Sequence, residues 1–345
     1  MSPRQLLATG AALCLMALFG YGVYGILGTL QSKVSTTTDP TQSQALVDLP
    51  GTVVVAQNGS LYSLHNLQFA KLDTAPGNWV QVAPGPGGDL LAVDNGNGYS
   101  NVLLLNPQGQ TIRLLLSESS TQYFNNHFAY YPRLSPNGQT LFYAWNWVDP
   151  YANYNVDFEI QAVPLANPGA NPTQWSIPNN YQGGDVEPLP TSNGGLIYAK
   201  YATSTTPGAT DGATYSQLVY VASPTGQLNY FTTPAQNCSE PALNPQGTEL
   251  AMICTDNQTQ TTTLQVASWN GTVLGTPRVL STGPMAAMPT WSPDGKSLIF
   301  MDPVQRGAPF QLWWIPGAAT TKPGVPQQVT QNLSLTATSA PVWHQ

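Results

Sequence analysis

Ser292 and Asp294 stand two residues apart in PTWSPDGKSLIF, residues 289–300. A serine beside an acid invites a hydrolase reading. A nucleophilic serine, however, needs a base within hydrogen-bond reach and donors for an oxyanion. No GxSxG elbow occurs in the chain. The histidines, His65, His127 and His344, are far apart in sequence, and a metal would require them to converge. His344 could approach His65 only if the ends of the chain came together. Glu187 and Glu240 form a more pointed pair, since each precedes a proline, in VEP and SEP. Asp185 lies two residues before the first of them. Carboxylates gathered in one place could hold a cation or a basic group of a ligand. In the competing reading, Glu-Pro is a structural device whose carboxylate bonds the backbone of a neighbouring element.

Composition narrows the function classes. The chain has 345 residues, 41% hydrophobic and only 8% charged, against about a quarter charged in an ordinary soluble domain. Gly and Pro number 31 each, which favours short strands and turns over long helices. The net charge is -7 and no basic stripe occurs, so nucleic acid is not an expected partner. No CxxC or Cys/His spacing suggests a metal, and no cofactor is expected.

The residues that could do chemistry sit in a repeat. PTWSPDGKSLIF has relatives that start at Tyr131 (YPRLSPNGQTLFYAW), Glu187 (EPLPTSNGGLIYAKY) and Glu240 (EPALNPQGTELAMIC), with a degraded copy at Val80. Each is an apolar strand, a polar turn and a second apolar strand. The turn glycines, Gly88, Gly138, Gly194, Gly247 and Gly295, recur at about 50-residue spacing, the range of propeller blades. Pro293 suits the first corner of a type I turn, Asp294 the second, and Gly295 the left-handed position that closes the hairpin. Ser292, Pro293, Asp294 and Gly295 are therefore read as a structural turn. A device repeated around a ring is scaffold, and no catalytic residue is assigned.

Residues 50–73 supply the second, third and fourth strands of a blade without a first, and TSAPVWHQ at the C-terminus supplies a first strand with nothing after it. The fold expected is all-β, a six-bladed β-propeller over residues 48–345, closed by its N- and C-terminal strands. Closure removes open sheet edges. These units resemble the TolB-type propeller repeat, whose pattern reads roughly P-x-W-S-P-D-G-K before an apolar strand. PTWSPDGKSLIF matches it fully and the other copies in part. The resemblance implies a periplasmic or extracellular location and partner recognition in the cell envelope. Related repeats also form the propellers of dipeptidyl peptidase IV-like enzymes and the tricorn protease, where catalysis resides in a separate domain.

Residues 1–30 include an uncharged run, Leu6 to Leu30, of about 25 residues, enough to cross a bilayer of ~30 Å. An N-terminal transmembrane helix is expected, with a cleaved signal peptide as the alternative. Residues 31–47 read as a flexible linker. Either reading exports the propeller, and the positive-inside rule places it on the extracytoplasmic side.

Long loops on a rigid ring are where function usually lives. Trp147, Asp149, Tyr151, Tyr154, Asp157 and Glu159 fall in one such stretch, and Asp211 and Tyr215 in another. Tyr and Trp give contact area at low entropic cost. The Asp, Asn and Glu residues after Trp147 also carry calcium-type oxygens, though without EF-hand spacing. Cys238 and Cys254 flank the NPQG turn, where antiparallel pairing would set them opposite. Export would then allow a disulfide, and two free thiols is the alternative. The reading as a whole is a membrane-anchored, non-enzymatic propeller that binds a protein or glycan partner in the envelope through its loop-rich face. Asp185, Glu187 and Glu240 mark its channel mouth. The alternative is a channel-mouth hydrolase or lyase acting on a sugar or lactone.

Overall fold

The computed structural model describes residues 45–119, 127–148, 156–179, 182–203 and 214–345. The short apolar runs of the sequence fold as strands and the Pro/Gly/Asn clusters as the turns between them. Strands β1 (Thr52–Gln57), β2 (Ser60–His65) and β3 (Gln68–Lys71) open the first blade. Blade two is β4 (Trp79–Pro84), β5 (Leu90–Gly96), β6 (Tyr99–Leu105) and β7 (Thr111–Ser119). Blade three is β8 (Ala129–Leu134), β9 (Thr140–Val148), β10 (Val156–Pro164) and β11 (Thr173–Gln174). Blade four is β12 (Asp185–Pro190), β13 (Leu196–Thr203), β14 (Thr214–Val221) and β15 (Asn229–Tyr230). Blade five is β16 (Cys238–Leu243), β17 (Glu249–Asp256), β18 (Thr261–Ser268) and β19 (Arg278–Gly283). Blade six is β20 (Ala287–Trp291), β21 (Leu298–Pro303), β22 (Phe310–Ile315) and β23 (Gln327–Gln328).

The last strand, β24 (Val342–His344), does not start a seventh sheet. It pairs antiparallel with β1, Thr52 opposite His344 and Val54 opposite Val342. Six four-stranded sheets result, the first ordered β24-β1-β2-β3. The six-bladed propeller closed by its two ends is thus the fold observed. Trp343 seals the closure, with its indole N–H donating to the Pro50 carbonyl at 2.7 Å and its ring buried in the core between blades one and six.

Second strands carry the inter-blade core. Leu90, Leu91, Ala92 and Val93 of β5 are all fully buried, and Leu298 to Met301 of β21 nearly so. A strand sandwiched between neighbouring blades buries both faces, so its sequence reads as a continuous apolar run rather than an alternation. Trp291 reaches across a blade boundary, its indole N–H donating to the Ala242 carbonyl.

The turn at Ser292 is a braced hairpin. Gly295 has φ +71° and its N–H donates to the Ser292 carbonyl. The Ser292 hydroxyl donates to Asp294 Oδ1 at 2.6 Å and accepts the Ser297 N–H at 2.9 Å. Ser135 and Asn137 repeat this bond at 2.7 Å, and Thr191 and Asn193 at 2.5 Å. The hydroxyl that might have been a nucleophile is a turn brace that recurs in three blades.

Among the described residues no helix is long and apolar enough to cross a membrane. The anchor expected over residues 1–30 lies outside the described residues, as do Asp149, Tyr151, Tyr154 and Asp211.

Candidate functional site

The first strands of four blades carry the same irregularity. Tyr131, Glu187, Glu240 and Met288, each followed by proline, have φ of 52°, 59°, 56° and 53°. The ladder shifts register at each of these points. A non-glycine residue in the left-handed region is strained, and a bulge of this kind re-aims side chains. Here it turns them to the central channel, which Tyr131, Arg133, Glu187, Glu240, Met288 and Ala340 line.

Hydrogen bonds from blade to blade hold the strained backbone. The Glu240 N–H donates to Glu187 Oε2 at 2.6 Å, and the Met288 N–H donates to Glu240 Oε2. Blade two uses an amide in the same way, with the Tyr131 N–H donating to Gln81 Oε1 at 2.6 Å. Gln81 Nε2 in turn donates to the Thr338 carbonyl at 2.9 Å, across the closure. Each Glu-Pro carboxylate therefore serves its neighbour's backbone, as the structural reading of the motif requires. Each also keeps a second oxygen free of that duty.

The electrostatics of the pair are unusual. Burial in the narrow channel raises Glu187 to about 7, against the opposing pull of the Glu240 N–H and Arg133. Burial and the neighbouring Glu187 raise Glu240 to about 8. Desolvation in turn lowers Arg133, and Glu187 counters it. Tyr131 and Tyr201 are pushed up, by burial first and then by the two carboxylates. These five side chains form one interacting group at the channel floor.

A second cavity, a vestibule of about 530 Å³, shares Tyr131 with the channel. Tyr130 and Tyr131 from β8, Phe158 from β10 and Tyr201 from β13 supply aromatic walls. Tyr130 packs edge-on to Phe158 at 5.9 Å and tilted against Tyr131 at 6.4 Å. Two polar side chains of the wall are engaged, with another wall group or with the backbone. Asn95 Nδ2 donates to the Tyr130 hydroxyl, and Gln81 is bonded at both ends. The vestibule is thus predominantly apolar and rich in aromatic rings.

Several expected site residues lie elsewhere. Asp185 does not join Glu187 and Glu240. It is fully buried and pairs with Lys200 Nζ at 3.1 Å, opposite it on β13. Burial raises Asp185 to about 6 against the pull of Lys200. Asp157 and Glu159, read as loop residues, belong to β10 and are buried. Asp157 Oδ1 accepts the Gln182 and Gly183 N–H groups, and Glu159 accepts from Gln161 and Gln174. Their oxygens brace strand ends and are not displayed for calcium. Tyr215 belongs to β14, opposite Ala202. Both hairpins run further than the polar composition of their ends indicates, since ladder pairing continues to Val148↔Val156 and Thr203↔Thr214. Trp147 pairs along the backbone with Asp157.

Cys238 and Cys254 face each other across β16 and β17 and are joined by a disulfide. The histidines stay apart in role. His127 stacks on Trp145 at 4.3 Å, while His65 bonds the Gly51 carbonyl at 3.0 Å. His344 faces Thr52 through the closure.

Sequence reasoning passed over Arg133, Tyr130, Phe158 and Tyr201. The cluster AYYPR at residues 129–133 was the available signal. It sits at the position where two other blades carry Glu-Pro.

No family model matches the chain, and no curated protein matches it. Solved structures do. TolB from Acinetobacter baumannii aligns with a TM-score of 0.61 at 15% identity, over 86% of this chain and 67% of that one. A protein assigned as TolB from Agrobacterium tumefaciens aligns at 0.50 and 16%, over 71% and 82%. A protein assigned as a 6-phosphogluconolactonase from Bacteroides fragilis aligns at 0.50 and 12%, over 90% and 99%. At these identities the likeness is one of fold, and it covers TolB proteins and an assigned enzyme alike.

Proposed function

We propose that the chain is a non-enzymatic binding propeller that engages a partner through the face bearing the channel mouth. The observation that carries this reading is the pre-formed aromatic vestibule on that face, with Asn95, Tyr130 and Gln81 of its wall held by their own hydrogen bonds. A pre-formed, predominantly apolar concave surface favours recognition over turnover. The apolar run Leu6 to Leu30 supports export and membrane anchoring, and with them a partner in the cell envelope.

The hydrolase or lyase alternative draws on the lactonase-type neighbour, whose likeness extends only to fold. Within the channel each glutamate already holds a neighbour's backbone through one oxygen.

Full-length Tyr201→Ala and Lys296→Ala proteins test the proposal. Lys296 lies on the opposite face, in the turn after Gly295, with its side chain 76% exposed. A partner retained from a solubilised envelope fraction by the wild type is expected to be retained by Lys296→Ala and lost by Tyr201→Ala. Retention by Tyr201→Ala, or loss with Lys296→Ala, contradicts it.

A further inference from the structure

The vestibule has a chemical preference that goes beyond a general binding role. Its walls include the aromatic rings of Tyr130, Tyr131, Phe158 and Tyr201. Tyr131 also lines the adjoining channel cavity that holds Glu187 and Glu240, and the two carboxylates act on the phenols of Tyr131 and Tyr201. Ring faces carry negative potential and attract cations, more strongly away from bulk water. The wall amides are occupied, so a ligand must gain from ring faces and field.

We propose that the vestibule receives an organic cation, held by its aromatic side chains beside the channel that carries the two carboxyl groups. This rests on the reading of the channel mouth as the binding face. The cation can be a lysine or arginine side chain of the partner or a free alkylammonium compound.

Arg133 in β8 offsets one of the two carboxylates. The floor is therefore near neutral with one glutamate protonated and carries a net charge of -1 with both ionised. The groups that face the pair are Arg133 and Tyr131 from β8 and Tyr201 from β13. Both tyrosines stay neutral, because burial and the carboxylates raise them. Cation affinity must then increase as pH rises through the range in which Glu187 and Glu240 lose their protons. By reciprocity, binding releases a proton.

The test is calorimetric titration of the full chain with choline, with its uncharged isostere 3,3-dimethylbutan-1-ol, and with an acetylated, amidated Gly-Lys-Gly peptide. Choline, the peptide or both are expected to bind. The isostere should be at least tenfold weaker than choline. Cation affinity should rise at least tenfold from pH 6 to pH 9, and Glu187→Gln with Glu240→Gln should flatten that rise while the protein stays folded. A peptide tighter than choline identifies a partner's side chain as the source, and the reverse a free compound. Equal binding of choline and isostere, a flat pH profile, or no binding of either cation to folded protein overturns the inference. If cations fail while Tyr201→Ala still loses the envelope partner, only this inference falls. If Tyr201→Ala keeps the partner, the binding-face reading falls instead.

Discussion

Trp343→Ala destabilises the propeller by about 3–5 kcal/mol, the usual cost of removing a buried tryptophan. The side chain is 6% exposed and belongs to the core with Val53, Val55 and Leu64 of blade one and Met288 and Ile299 of blade six. At roughly 2–4 °C per kcal/mol for a domain of this size, the melting temperature falls by about 10 °C. Position makes the loss special. Strand β24 has three residues, so Trp343 is a large part of what holds the first strand of blade one to the rest of its sheet. Hydrogen exchange should therefore accelerate first in β1 to β3, before the other five blades. Trp343→Phe keeps most of the packing and loses only the bond to Pro50, so it should recover most of the stability. Uniform acceleration across all blades would show that Trp343 is ordinary core and that closure does not depend on it.

Stability should also fall between pH 5 and pH 9, and Glu240→Gln should remove much of the fall. The folded state holds protons on Glu187 and Glu240 up to about 7 and about 8. In the unfolded chain they leave near 4.3. The stability from this source is full below the unfolded value and is lost as pH rises through the folded ones. Asp185 and Asp302, each raised to about 6 by burial, act in the same direction at lower pH. His344, lowered by burial, acts against them. A tenfold difference in proton affinity is worth about 1.4 kcal/mol. Glu240 is only partly buried, so solvent screens part of it, and Glu240→Gln should gain about 1–2 kcal/mol at pH 9 and almost nothing at pH 5. The glutamine oxygen can still accept the Met288 N–H, so the test isolates charge from geometry. Melting curves at the two pH values decide it: an equal effect at both would mean that Glu240 is ionised throughout.

The ring was legible in the sequence because its signals are local. A polar turn between two apolar strands repeats with the chain, and the orphan strand at Thr338–Gln345 complements the three strands that begin at Pro50. The site was only half legible. Glu187 and Glu240 stood out because Glu-Pro recurs at one blade position, and their backbone duty follows from that recurrence. Asp185 looked like a third member, but its fate depends on Lys200, which the ladder brings opposite from 15 residues away. Asp157 and Glu159 look like loop ligands in a run of Asn, Asp and Tyr. Yet strand pairing reaches them and buries them. The vestibule was hidden for a related reason. Tyr130, Phe158 and Tyr201 come from different strands, and only the order of the blades places them around one mouth.

The most direct measurement places a photo-crosslinking residue at position 201, in the vestibule wall, or at position 296, in the turn on the opposite face. Both full-length proteins would be irradiated in intact cells. Binding through the channel mouth predicts a defined adduct from position 201 and none from position 296. An adduct from position 296 alone, or from neither, would contradict it.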